Sequence, residues 1–343
     1  MTITYKQKVP SSEEILNEIP LPDDLRKIKK KRDEEIADVF TRKNHRKILI
    51  IGPCSAHNID AVCEYTGRLA RLQEKVSEQL LIIPRIYTNK PRTTGVGYKG
   101  MLHQPDHQKN PDMVKGIQKI REMHIRSMRE SGLSAADEML YPGNYPYLED
   151  LLSYVAIGAR SVENQQHRLT VSGLDIPVGM KNPTSGDLKV MIDSIYAAQT
   201  SHIFIYNGWE VSTSGNPLAH AILRGAVDKY GNHIPNYHFE DLKMVSEMNS
   251  EREVANPAIV IDTNHSNSGK KYKQQPRIVK EVVQSMKNSD TVRDMIRGFM
   301  IESYLIEGSQ AADGNEFGKS ITDPCLGWSD TENMVLDLAD MLA

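Results

Sequence analysis

A chain of 343 residues, 39% hydrophobic and 25% charged, has room for one large or two ordinary domains, and its composition excludes a disordered or fibrous protein. The formal net charge of −3 lacks the basic excess of a general nucleic-acid or acidic-membrane binder, so any anion site must be local. Three cysteines (Cys54, Cys63 and Cys325) make no disulfide framework, the opening MTITYKQKVP has no apolar signal core, and no apolar run approaches the ~18 residues of a membrane helix; a reduced, soluble, cytoplasmic protein is expected.

Residues 1–45 read as a helical extension, a possible oligomerisation or regulatory arm. SSEEILNEIP opens with capping-box spacing at Ser11 and Glu14, and the basic run Arg26 to Arg32 reads as a solvated helix face balanced by Asp33, Glu34 and Glu35. From Lys47 onward short β-branched runs alternate with amphipathic segments. The runs are KILIIGPC, LLIIPRIY, LSAADEML, YVAIGARS, PVGMKNPT, HIFIYN, AIVIDTNHS and GFMIES, which makes eight. Between them, MVKGIQKIREMHIRSMRESG sets Ile117, Ile120 and Met123 on one face and stops at Gly132; SGDLKVMIDSIYAAQ is predicted to begin at a Ser185 cap; Ser329 and Glu332 have capping-box spacing before the last helix. Eight strand–helix units close most economically as a (β/α)8 TIM barrel over 46–343, and no G-x-G-x-x-G follows the first strand to favour an open doubly wound sheet.

In such a barrel the chemistry gathers at the C-terminal ends of the strands. Those ends carry Cys54, Arg85 with the cationic loop NKPRTTGVGYKG, Glu138, Arg160, Lys181, Asp262 with His265, and Glu302. Buried cations need a carboxylate or an anionic ligand, and the acids near these ends are too few for Arg85, Lys90, Arg92, Arg160, Lys181 and Arg224 together; a mouth for phosphate and carboxylate groups follows. A second set, Cys54, His265, Glu302 and Asp323, offers one thiolate, one imidazole and two carboxylates. That mixture suits Mn²⁺, Fe²⁺, Co²⁺ or Zn²⁺ better than Mg²⁺. Cys63 reads as core, and Cys325 has no assigned role.

The motifs IGPCS, KPRTT, AIGARS with ENQQHR, PVGMKN, STSGN with ILRG, NHSNS, IESYLIEGSQ and GKSITDPCLGW, in this order over about residues 45–335, resemble the type I, metal-dependent 3-deoxy-D-arabino-heptulosonate 7-phosphate (DAHP) synthases. The resemblance implies condensation of phosphoenolpyruvate with erythrose 4-phosphate, the first step of the shikimate pathway. It implies a metal, Mn²⁺ ahead of the others, on Cys54, His265, Glu302 and Asp323, and phosphoenolpyruvate against Arg85, Lys90, Arg160, Lys181 and Arg224 with Glu138 nearby. Arg92 and Thr93 would meet erythrose 4-phosphate; Lys90, Lys181 or an unliganded His265 would relay protons. A homodimer or homotetramer and an aromatic amino-acid effector are also implied. The sequence departs from the family pattern at Asn89, at an inserted Gly95 and at Tyr141. The rival readings are a 3-deoxy-octulosonate 8-phosphate synthase, which shares the barrel but uses arabinose 5-phosphate, an aldolase-type lyase, and a non-catalytic metabolite sensor.

Overall fold

The computed structural model describes residues 2–92 and 95–343. Eight parallel strands run β1 (Lys47–Gly52), β2 (Leu80–Pro84), β3 (Ala135–Glu138), β4 (Leu152–Ile157), β5 (Val178–Lys181), β6 (Ala219–Leu223), β7 (Ile259–Asp262) and β8 (Ile296–Glu302). They are ordered β2-β1-β8-β7-β6-β5-β4-β3, and a parallel bridge between Arg85 and Ala136, with Ile86 N–H donating to Ala136 C=O at 2.9 Å, joins the last to the first. The sheet is a closed (β/α)8 barrel.

The continuous apolar runs divide by parity, as successive side chains on a strand must. Ile48, Ile50, Leu81 and Ile83 point inward with Tyr154, Ile222, Val260 and Met300. Leu49, Ile51, Leu80 and Ile82 point outward, into the layer filled by the surrounding helices. The N-terminal end of the barrel is stoppered by the extension. After α1 (Ser12–Glu18), helix α2 (Asp23–Phe40) sends Ile36, Val39 and Phe40 into the inner core, where Phe40 stacks on His220 at 4.2 Å between ring centroids.

Four sequence readings are corrected. HIFIYN is not a barrel strand: His202–Tyr206 pairs antiparallel with Trp209–Thr213 in an outer hairpin, exposing Ile203 and Ile205 at 74% and 77%. Its Asn207-Gly208 turn, with φ of 50° and 82°, is the dipeptide that two-residue hairpins favour. The sixth barrel strand is AHAIL. Helix Leu188–Gln199 is capped by Asp187, whose side chain accepts from Val190 N–H, rather than by Ser185; helix Trp328–Leu342 begins after Gly327 with no side-chain cap, because it starts one residue before Ser329. The basic run is only partly solvated: Lys29 and Arg32 are buried, and Arg32 donates to the Ile82 carbonyl of β2. The Ser11–Glu14 capping box and the left-handed Gly132 stop, φ 69°, are present as expected.

Candidate active site

All the side chains in question sit at or just beyond the C-terminal ends of the strands. They surround a cavity of about 240 Å³ lined by Arg85, Lys90, Arg92, Glu138, Arg160, Lys181, Arg224, His265 and Asp323. Cys54 and Glu302 lie beneath it, fully or almost fully buried. Thr93 falls outside the described residues.

Two of the cations are already answered. Arg85 Nη2 is 3.0 Å from Glu302 Oε1, its Nη1 donates to the Pro53 carbonyl, and its guanidinium lies 3.8 Å over the Tyr87 ring. Burial pulls this guanidinium down, but Glu302 outweighs it and holds it above arginine's ordinary value. Lys181 Nζ reaches Asp262 Oδ2 at 2.9 Å, and His265 Nδ1 lies 2.8 Å from the same oxygen. Burial raises the Asp262 carboxyl; His265 and Lys181 overcome it and leave the group well below the usual carboxylate range.

The remaining cations have no carboxylate partner among the described residues. Arg224 is buried and donates only to the Gly225 carbonyl, at 3.3 Å, while burial and neighbouring Arg160 draw its guanidinium down against Asp262. Arg92 donates through Nε to the Tyr98 carbonyl at 2.8 Å, folding back over Gly97, whose φ of 95° suits glycine. Arg160 and Lys270 stand exposed at the rim. Lys90 points inward, its Nζ 2.9 Å from Cys54 Sγ and 3.0 Å from the Cys54 carbonyl. A mouth with this many unanswered cations suits two polyanionic substrates bound side by side.

The carboxylates are held just as deliberately by the backbone. Glu138 crosses the end of β4, where a Cβ on Gly158 would lie 2.2 Å from its Oε1 and would push the carboxylate aside. Its neighbour Asp137 is buried and accepts from Thr88 N–H at 2.9 Å, Thr88 Oγ1 and Glu138 N–H, tying β3 to the start of the cationic loop; burial pushes its carboxyl up to about 7.

Of the metal-ligand types, Cys54 Sγ is 3.6 Å from Asp323 Oδ2, and β1–β8 pairing sets Gly52 opposite Glu302. Asn264 donates to Glu302 Oε2 at 2.6 Å, whereas Glu302 Oε1 is buried without an aligned hydrogen bond, as is His265 Nδ1. Burial raises the Cys54 thiol, and burial also raises Glu302 and Asp323, but Arg85 and His265 bring Glu302 below its usual value and Lys90 and Lys270 do the same for Asp323. Among the described residues no three His, Cys, Asp or Glu side chains are placed to hold one ion as they stand. His265 leans on Asp262 instead. The donor chemistry nevertheless fits a borderline divalent ion: a soft sulfur, an imidazole whose Nδ1 faces a carboxylate, and a Glu302 oxygen that is ion-paired with Arg85 but has no aligned hydrogen bond.

Sequence reading missed Asp262 as the orienting carboxylate for Lys181 and His265, and missed Lys270 and His233, which line the cavity. Lys270 follows NHSNSG directly after a strand end, and that position was the available signal. The departures are structurally mild. Asn89 is buried and donates to Thr88 Oγ1 at 3.3 Å while its Oδ1 has no partner among the described residues, Gly95 takes a φ of 73° that suits glycine, and Tyr141 is 44% exposed.

A sequence model described as the DAHP synthetase I family matches residues 24–336. The Phe-sensitive phospho-2-dehydro-3-deoxyheptonate aldolase of Escherichia coli K12 is 39% identical over 314 residues, covering 89% of this chain and 86% of that protein. The phospho-2-dehydro-3-deoxyheptonate aldolase of Haemophilus influenzae is 37% identical over 334 residues, 95% of this chain and 89% of that one. The solved structure of phospho-2-dehydro-3-deoxyheptonate aldolase from Francisella tularensis SCHU S4 superposes with a TM-score of 0.91 at 31% identity, over 99% of this chain and 98% of that one. With its barrel, its cationic mouth and its near-complete match to these proteins, the chain belongs to the DAHP synthetase I family.

Proposed function

We infer that this chain is a DAHP synthase, condensing phosphoenolpyruvate with erythrose 4-phosphate and water to give DAHP and phosphate, the first step of aromatic amino-acid biosynthesis. The observation that carries the reading is the set of cations without carboxylate partners, Arg92, Arg160, Arg224 and Lys270, around one small cavity in a chain of this family. Arg224, Arg160 and Lys181 grip the carboxylate and phosphate of phosphoenolpyruvate beside Arg85 and Glu138, while Arg92, with Thr93, takes the sugar phosphate. Bringing two polyanions together is mostly positioning and charge neutralisation, and these residues supply both.

The family is generally metal-dependent. Cys54, His265, Glu302 and Asp323 would hold a divalent ion, Mn²⁺ in the first instance, with Fe²⁺, Co²⁺ or Zn²⁺ as alternatives. When bound, such an ion supplies Lewis-acid polarisation of the aldehyde carbonyl. Lys90, inside the mouth, holds a proton at Nζ for the oxygen that becomes the new hydroxyl. Asp262 holds Lys181 Nζ in place, at 2.9 Å, for the phosphate that leaves after water adds. His265 would serve as a ligand through Nε2, since its Nδ1 faces Asp262 at 2.8 Å.

The reading divides the chain into a helical arm, 1–45, and a catalytic barrel, 46–343, within a cytoplasmic homodimer or homotetramer. The Phe-sensitive and Trp-sensitive relatives support an aromatic amino-acid effector. No helix among the described residues is long and apolar enough to cross a membrane. The deciding experiment measures phosphate release from phosphoenolpyruvate with erythrose 4-phosphate and arabinose 5-phosphate in parallel, before and after EDTA and across a metal panel. Turnover with the four-carbon sugar, lost on chelation and restored by Mn²⁺, is expected. Preference for arabinose 5-phosphate would convert the reading to its eight-carbon-product relative, and full activity after verified metal removal would remove the ion from the mechanism.

A further inference from the structure

At the end of the barrel opposite the catalytic mouth, a cavity of about 690 Å³ opens between the start of β1 and the segment that leads into β8. Arg46, Lys47, Arg293 and Arg297 line it with Lys43 and His45, against the side-chain acids Glu78 and Asp294 and the terminal carboxylate of Ala343. Arg297 is 4% exposed, yet it makes neither a hydrogen bond nor an ion pair among the described residues, and its Nε is buried without a partner. Lys47, 7% exposed, donates to the carbonyls of Arg293 at 2.9 Å and Ile296 at 2.7 Å, which leaves one N–H and its whole charge unanswered. Arg46 donates through Nε to Asn44 Oδ1 at 3.3 Å and through one Nη to the Ser77 carbonyl at 3.4 Å, which leaves its other Nη. The two acids reach none of these groups in an ion pair. A guanidinium with a buried Nε that has no acceptor, and with neither Nη hydrogen-bonded to protein, is costly to hold charged, and an anion entering the cavity answers it.

We propose that this cavity binds a small phosphate-bearing anion, gripped by the guanidinium of Arg297 with Lys47 and Arg46 beside it. The two Nη groups of such a guanidinium present a planar pair of donors that matches two oxygens of a tetrahedral oxyanion, and an ammonium beside it answers a third. Three cations against one group favour a dianion over a single carboxylate. The electrostatics run the same way: burial and neighbouring Arg297 bring the Lys47 ammonium down to about 7, and burial with nearby Arg42 brings Arg297 down to about 10, so a bound dianion relieves both. The site is separate from the catalytic mouth and does not depend on the reaction proposed there.

The test is equilibrium dialysis of the full chain against labelled inorganic phosphate at fixed ionic strength. Two classes of phosphate site are expected in the wild type, one at each end of the barrel. Arg297→Gln should weaken one class about tenfold or more, the scale of a lost charge-assisted pair, and leave turnover unchanged. Arg224→Gln, at the mouth, should weaken only the other. Because Arg297 is buried, Arg46→Gln at a half-buried position provides a second reading that does not risk the fold; a weakening of about threefold to tenfold is expected. The proposal is overturned if Arg224→Gln removes all phosphate binding, or if both Arg297→Gln and Arg46→Gln bind phosphate as the wild type does. It is equally overturned if succinate displaces phosphate from this class as readily as phosphate itself.

Discussion

Arg224 is a buried guanidinium with an arginine for a neighbour and, among the described residues, no carboxylate at ion-pair distance, only the more remote Asp262; a bound anion would complete this arrangement. Arg224→Gln should therefore lower kcat/KM for phosphoenolpyruvate about 10- to 100-fold, the scale of one charge-assisted hydrogen bond, with the circular-dichroism spectrum unchanged. Arg92→Ala should act on the other substrate, raising KM for erythrose 4-phosphate; an effect confined to phosphoenolpyruvate would refute the division of labour in the loop. Cys54→Ala should bind Mn²⁺ far more weakly in dialysis while keeping the fold. At this scale much was legible in the sequence, because a charged side chain at the end of an apolar run stands out. Lys270 and Asp262 were harder to see. One sits beyond the expected end of its strand motif, and the other looks like an ordinary strand terminus until Lys181 and His265 converge on it.

Between elements, Asp137 links β3 to the loop that follows β2, and its buried carboxyl titrates near 7 rather than near 3.8. The folded chain thus holds this proton more tightly than the unfolded one, so the contribution to stability is full below about pH 4 and declines as pH rises toward 7. The difference in Tm between wild type and Asp137→Asn, measured from pH 4 to 8, should move against the wild type over that window and then level off. A difference independent of pH would exclude the assignment. Seven of the eight barrel strands were legible as β-branched runs. The sixth was not, since AHAIL sets only Ile222 and Leu223 after two alanines and a histidine, whose ring is satisfied by Tyr154 Oη at 2.8 Å and stacked on Phe40, which a hydropathy pattern does not reveal. HIFIYN took its place because its apolar residues alternate on an exposed hairpin, and the Asn-Gly turn that should have disqualified it was passed over.

For the molecule as a whole, the arm and the barrel share one interior. Ile36, Val39 and Phe40 complete the inner core from below, so Phe40→Ala should cost about 3–5 kcal/mol in urea unfolding, and deletion of residues 1–45 should abolish the cooperative transition. A truncated barrel that unfolds like the full chain would show the arm to be dispensable. The sequence presented this arm as charged and peripheral because its buried face is narrow: Lys29 and Arg32 bury their stems and lend their heads to Asp33 and to the β2 backbone.

The contact between Cys54 and Asp323 spans 269 residues of chain, and Glu302 enters the same neighbourhood only when β8 docks on β1. On the ribosome, the thiol therefore emerges long before its companions exist. At a synthesis rate of about 5–20 residues per second the delay is on the order of 10–60 seconds, during which Cys54 is a lone sulfur open to any soft metal or oxidant. On the ligand set proposed above, loading with an ion would then be a post-translational event, timed by the docking of β8 and the segment that carries Asp323.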